Sequence, residues 1–248
     1  MGEVAIVIPT HGRAGSVTTF KVFPMAILCV AESQEKLYRD AYPDKEIVVH
    51  PDSIQGLASK RQWIYDYWGD VFQVDDDITA MTDLSVAAGE TYKMTPERAY
   101  AVVQRTADTA RQMGVHLWGF APWEDPAMCS PMRPFRLTGF VNGHGLGLLK
   151  GAKFFWRPDM YVNNDMWIAL LNMYHHRMVF VDQRFGLHHK ATFHNTGGLA
   201  NWRTHDELER SFNILKDHFG DAVSAKKGNA RAGITHKWQP IINTQIFR

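Results

Sequence analysis

Only two cysteines, Cys29 and Cys129, occur in 248 residues. Two thiols in a chain of this length exclude a disulfide framework and fit a reducing compartment. No apolar run approaches the roughly 18 residues that a membrane span needs. The first apolar segment, Val4-Ala5-Ile6-Val7-Ile8, follows no basic leader and no cleavage signal. The expectation is a cytoplasmic protein without a membrane segment. Charge of one sign is also missing: 27 Lys and Arg against 26 Asp and Glu leave a formal net charge of +1. That excludes a broad electrostatic preference for nucleic acid and leaves only local basic patches open. There is no internal repeat and no composition break that would mark a linker. What is present, 45% hydrophobic and 21% charged residues, is the make-up of a globular chain with a substantial core.

The first third alternates apolar runs with helical spacing. Ala5 to Ile8 reads as a buried strand stopping at Pro9-Thr10-His11-Gly12-Arg13. Ala26 to Val30 is a second strand, after which Ser33 is placed to cap a helix through Tyr38. Glu46 to His50 is a third strand closed by Pro51-Asp52. Leu57, Arg61, Ile64 and Trp68 carry helical spacing, and Val71 to Val74 is a fourth strand. This order predicts an α/β fold with a parallel sheet flanked by helices. Ligands of such sheets sit beyond the carboxyl ends of the strands, where Thr10, Glu32, Asp52 and Asp75 fall.

The remainder is less regular. Thr95-Pro96 predicts a helix start, with the helix running to about Gln112. Val115 to Phe120, Leu137 to Val141, Leu146 to Leu149 and Met178 to Val181 read as strands. Ala121 to Arg136 reads as a loop, and Asp165 to Tyr174 and Asp206 to Phe219 as helices. We read one domain, 1–248, with a nucleotide-binding half (1–80) and an acceptor-side half (81–248) that ends in a basic tail.

Asp75, Asp76 and Asp77 follow the fourth strand directly. Three adjacent carboxylates repel one another, and at a buried strand end they call for a cation. Mg²⁺ and Mn²⁺ are hard ions typically held by one or two carboxylates plus substrate phosphates. A solvated acidic turn is the plain alternative.

Here the chain resembles the GT-A glycosyltransferases, which carry an Asp-x-Asp motif after a strand. Val4 to Arg13 is similar to their opening nucleotide-binding strand. Gln55 to Arg61 is similar to the helix before the motif, and Asn163-Asn164-Asp165-Met166-Trp167 to their catalytic-base segment. Within that class, Leu57 to Gln62, Val74 to Ile78 and Asn195-Thr196-Gly197-Gly198 resemble the TET-associated glycosyltransferases of phages, thought to decorate hydroxymethylated pyrimidines in DNA. The resemblance implies a GT-A-like, mixed and mainly parallel sheet and a UDP-sugar donor. Mn²⁺ or Mg²⁺ would be held by Asp77 directly, aided by Asp75 and by His188, His189 or His194. It implies Asp165 as the general base of an inverting transfer. Thr10, Arg13, Glu32, Asp52, Lys60, Arg61, Asp75 and Asp76 would serve the donor nucleotide, with only one of Lys60 and Arg61 expected to reach it.

Other features stay open between roles. The glycine-rich run Gly139 to Gly147 lacks the strand–loop–helix context of a dinucleotide site and is either a tight hairpin or a close approach to a sugar. From Ala222 to the end there are five Lys or Arg and no carboxylate. Lys226, Lys227 and Arg231 can form a lid on a diphosphate, contact DNA phosphates, or belong to an ordinary tail. Trp118, Trp123 and Trp156 are either base-stacking residues or core. The leading function is sugar transfer to a hydroxymethylpyrimidine such as 5-hydroxymethylcytosine in phage DNA. The alternatives are a carbohydrate, protein or small-molecule acceptor, a nucleotidyltransferase, or an inactive nucleotide-sugar-binding module.

Overall fold

The structure is a computed structural model that describes residues 2–87, 92–189, 204–225 and 240–243. Its frame is one nine-stranded sheet. β1 (Ala5–Pro9), β2 (Ile27–Ala31), β3 (Ile47–His50) and β4 (Val71–Val74) lie in the order β3-β2-β1-β4, all parallel. Beyond β4 come β8 (Gly145–Leu148), β6 (Leu117–Ala121), β9 (Phe180–His189) and β5 (Ile78–Asp83). β8 is antiparallel to both β4 and β6, and β6 pairs parallel with β9. The short β7 (Phe135–Arg136) also pairs with β9. β10 (Val223–Ala225) and β11 (Pro240–Ile242) pair antiparallel in a separate two-stranded sheet. This is the expected α/β arrangement: a mixed sheet, parallel throughout its N-terminal half, between helical layers. Among the described residues no helix is long and apolar enough to cross a membrane.

Strand alternation separates the two faces. Ile6, Ile8, Leu28, Val30, Phe72 and Val74 join one apolar cluster with the inner side of α3 (Pro96–Gln112) and with Tyr38 of α1 (Glu35–Ala41). Val7, Cys29, Val71, Leu146 and Leu148 join the other, under α2 (Gly56–Trp68), α4 (Asn164–His176) and α5 (His205–Phe219). Gln73 is the polar exception on β4. It is fully buried and donates its Nε2 to the carbonyl of Arg61 at 3.0 Å, which ties α2 to the strand carrying the acidic triplet.

The Thr95 cap is present, its hydroxyl accepting from the Arg98 N–H, and α3 ends at Gln112 as the sequence predicts. Other boundaries differ for physical reasons. Ser33 does not cap a helix: a 3₁₀ turn spans Glu32–Gln34, α1 starts at Glu35, and the Ser33 N–H and hydroxyl both donate to Asp52. No strand forms over Leu137 to Val141. Gly139 sits at φ +89°, and Arg136 donates to the Phe140 carbonyl, so the chain turns there instead.

The glycine-rich run is neither hairpin nor sugar cradle at its C-terminal end. A Cβ on Gly147 would lie 1.9 Å from the Trp118 ring, and one on Gly145 would lie 2.5 Å from Leu187 and 2.8 Å from Phe72. Those glycines exist so that Trp118 and Phe72, stacked at 5.4 Å, can lie flat on β8. Trp118 and Trp156 are therefore core residues and not stacking platforms for a base. Gly147→Ala is expected to cost at least about 2 kcal/mol by overpacking, read as a fall in melting temperature of ~5 °C or more. An unchanged melting temperature would mean that the aromatic stack does not fill that space.

Candidate functional site

The acidic triplet leaves β4 at the carboxyl edge of the sheet and enters β5 at once. A short strap holds its backbone. Thr19 is fully buried; its hydroxyl donates to the Asp75 carbonyl at 2.6 Å and accepts from the Ile78 N–H at 3.0 Å. The Thr18 N–H donates to the Asp76 carbonyl. With its backbone fixed at both ends, the triplet sends Asp75 to one set of partners, while Asp76 and Asp77 both face Arg13.

Asp76 turns inward. One oxygen accepts from the Thr10 hydroxyl at 2.7 Å, and the other from Arg13. A hydroxyl has one proton to give, so the Tyr38 hydroxyl, 2.9 Å from Thr10 Oγ1, donates to Thr10. Tyr38 in turn accepts from the Arg13 N–H. Lys60 completes this side, its buried ammonium 2.6 Å from the Thr10 carbonyl. Burial pulls the Lys60 pKa down to about 8, against the partial support of Asp76.

Asp75 faces the second half of the chain. Its Oδ1 is 3.0 Å from Arg61 Nη2 and its Oδ2 is 3.2 Å from His144 Nδ1. Its N–H donates to the His144 carbonyl. Burial raises the Asp75 pKa, but the His144 hydrogen bond and the Arg61 charge outweigh it and leave the group below its ordinary value. For His144 burial pulls down, and the Asp75 hydrogen bond and charge more than reverse it. Asp77 differs. Burial first, then the charges of Asp75 and Asp76, push it up to about 6, with Arg13 3.8 Å away as partial compensation.

Arg61, only 2% exposed, spreads its guanidinium behind Asp75. Nη2 also donates to the Gly143 carbonyl at 2.6 Å, and Nη1 to Asn164 Oδ1 at 3.2 Å. Lys60 and Arg61 thus diverge from one turn of α2, as expected, and both are bound to protein groups. Asn164 opens α4 after Asn163, a residue in the left-handed region (φ +57°) whose amide donates to Ser211 of α5. Asp165 follows in the first turn. One oxygen accepts from the Met166 N–H at 2.9 Å, the other from the Gly143 N–H at 3.3 Å. A Cβ on Gly143 would lie 3.2 Å from Asp165 Oδ2 and 3.4 Å from Arg61 Nη1, so a side chain there would press on the Asp165 carboxylate. The geometry brings Asp165, Arg61 and Asp75 together around one residue, Gly143.

A small pocket adjoins this group, lined by Pro122, Glu124, Asn142, His144 and His189 among others. The His189 ring stacks on His144 with centroids 3.9 Å apart. Glu124 lies between His188 and His189, at 2.9 and 3.2 Å from their Nδ1 atoms. Glu32 and Asp52 are exposed at the ends of β2 and β3, and Asp52 is held below its ordinary pKa by its two hydrogen bonds from Ser33. His194, Lys226, Lys227 and Arg231 lie outside the described residues, as do Asn195 to Gly198. Sequence reasoning missed His144 and Glu124. The available signal for His144 was an Asn and a His alternating with glycines just ahead of a strand.

Among the described residues no three His, Cys, Asp or Glu side chains gather around one metal position. Two carboxylates with substrate oxygens nonetheless suffice for Mg²⁺ or Mn²⁺. Asp77 offers a carboxylate two residues from Asp75 in the same turn, which is the donor chemistry such an ion takes.

A family model described as TET-Associated Glycosyltransferase matches residues 4–198. No curated protein matches the chain. Among solved structures the chain is similar to the crystal structure of S. aureus TarS 1–349, with a TM-score of 0.47 and 10% identity. That match covers 89% of this chain and 73% of the other. It is also similar to a crystal structure of S. aureus TarS, with a TM-score of 0.46 and 9% identity, covering 87% of this chain and 40% of the other.

Proposed function

Because the chain belongs to the TET-associated glycosyltransferase family, and so is a glycosyltransferase, we propose that it moves a sugar from a UDP-sugar to the hydroxymethyl group of a pyrimidine in DNA, with inversion and with a divalent cation. The observation that carries the reading is the sharing of one residue, Gly143. Its N–H holds Asp165, and its carbonyl holds the Arg61 that pairs with Asp75. A base for the acceptor and an acidic strand end for the donor thereby stand side by side, as a single displacement requires.

In that displacement the bond from the anomeric carbon to the diphosphate oxygen breaks as the acceptor oxygen bonds to the opposite face. Asp165 takes the acceptor proton. Its hydrogen bonds come from the backbone N–H groups of Met166, in the first turn of α4, and of Gly143, in the loop before β8, which keep the carboxylate oriented. Asp75 and Asp77 are the residues to hold Mn²⁺ or Mg²⁺, which when bound supplies Lewis-acid stabilisation of the charge on the departing diphosphate. Glu32 and Asp52 remain the candidates for the ribose or base. Thr10, Arg13 and Lys60 shape the loop after β1, and Asp76 is their anchor. Lys226, Lys227 and Arg231 are proposed to close over the diphosphate.

A second reading keeps the donor and changes the acceptor to a carbohydrate, protein or small molecule; the net charge of +1 favours it. Incubation with UDP-sugars, Mn²⁺ and DNA containing 5-hydroxymethylcytosine tests both. The expected outcome is UDP release matched by a sugar-mass gain on the DNA, with DNA binding that weakens steeply with salt. UDP release without DNA modification would transfer the reading to the other acceptors. Pyrophosphate release would replace sugar transfer by nucleotidyl transfer. Absence of a thermal shift with every nucleotide sugar and Mn²⁺ would overturn the donor assignment.

A further inference from the structure

We infer that Arg61 is a positioning residue that sets the distance between the donor and acceptor ends of the site, and not a ligand of the diphosphate. The inference rests on the proposed transfer reaction and assigns a role within it. The motif order suggests a cationic helix reaching for phosphate. The geometry points elsewhere, because the guanidinium is buried and bound on both amino groups. Nη2 donates to Asp75 Oδ1 at 3.0 Å and to the Gly143 carbonyl at 2.6 Å, and Nη1 donates to Asn164 Oδ1 at 3.2 Å. Its Nε is buried with no hydrogen-bond partner among the described residues. A phosphate approaching Nη2 would have to displace two protein acceptors, and the residue is only 2% exposed.

The three acceptors lie on three parts of the chain: the end of β4, the loop before β8, and the first turn of α4. Asp165 is bound to the middle one through the Gly143 N–H and is the chain neighbour of Asn164. A planar fork of fixed N–H directions can hold such an array. An ammonium is a compact point charge and cannot bridge three acceptors with the same directionality. The backbone of Arg61 is itself fixed by Gln73 of β4. The fork thus transmits the position of the acidic strand to the base segment, and errors of about 1 Å in such spacing are enough to cost about 100-fold in rate.

The test is Arg61→Lys, assayed with UDP-sugar and acceptor under saturating Mn²⁺. The expected result is a fall in kcat of roughly 10- to 100-fold, with the KM for the donor and the affinity for free UDP changed less than about threefold. In the double variant with Asp165→Asn, the two losses should not multiply, because Arg61 acts through the residue already removed. A donor KM raised tenfold or more with kcat retained would make Arg61 a diphosphate ligand and overturn the inference. Fully multiplicative losses would reduce its role to general scaffolding and overturn it equally. If Arg61→Lys does not fold, Asn164→Ala removes one prong of the same fork and is read by the same split between kcat and KM. A wild-type enzyme that releases no UDP from any donor refutes the transfer reading itself. A wild-type enzyme that turns over while the variant shows the wrong split refutes only the role of Arg61.

Discussion

Asp165→Asn is expected to lower the transfer rate by roughly 10²- to 10⁴-fold at saturating acceptor, the range that loss of a general base commonly produces. The substitution is close to isosteric and keeps an oxygen for the Gly143 or Met166 N–H, so fold and donor binding should persist. What it removes is the ability to take a proton. Single-turnover assays with a preformed donor complex measure this directly. Full turnover in the variant would dismiss Asp165 as base and leave it a carboxylate complementing the α4 dipole. A raised donor KM with intact kcat would place it in donor binding instead.

Asp77→Asn is expected to abolish metal-stimulated turnover, with a loss on the order of 10³-fold or more if the cation supplies several kcal/mol of charge stabilisation. It should also remove the Mn²⁺-dependent part of the thermal shift given by UDP-sugar. In EDTA, by contrast, the variant should melt no lower than the wild type, because one of three adjacent like charges is gone. This opposition of effects separates a ligand from a structural carboxylate. A variant that loses stability without metal, yet still responds to Mn²⁺, would transfer the ligand role to another residue. The same pair of measurements on Asp76→Asn should behave differently. Its oxygens are engaged by Thr10 and Arg13, so that variant is expected to destabilise the metal-free protein.

The parts legible in sequence were those in which local chemistry and tertiary packing agree. Val71 to Val74 is an apolar strand with an abrupt acidic end, and Thr95-Pro96 carries its own cap. β5 was not legible, since Ile78 to Asp83 mixes buried and exposed positions with no turn to separate it from the triplet. β9 was read only to Val181. Its continuation through Arg184, His188 and His189 is polar and is held in the sheet by pairing with β5. Ser33 looked like a cap because sequence does not show that Asp52, nineteen residues on, competes for it. The site followed the same division. The triplet and Asp165 were visible as charged breaks in apolar patterns. His144 was hidden because its partner, Asp75, is sixty-nine residues away. Arg61 was seen as a helix cation, but its commitments to Gly143 and Asn164 lie beyond any local window.

Those commitments also constrain how the protein comes into being. The bonds from Arg61 span 82 residues to Gly143 and 103 to Asn164. The parallel strands and α2 can assemble as the first part of the chain emerges from the ribosome, but the third acceptor of the fork arrives only after residue 164. Until residues 143 and 144 arrive, the guanidinium and Asp75 have only each other among these partners. A nascent chain released early would carry every residue of the acidic motif and no working centre, and catalytic competence becomes a late event in biogenesis.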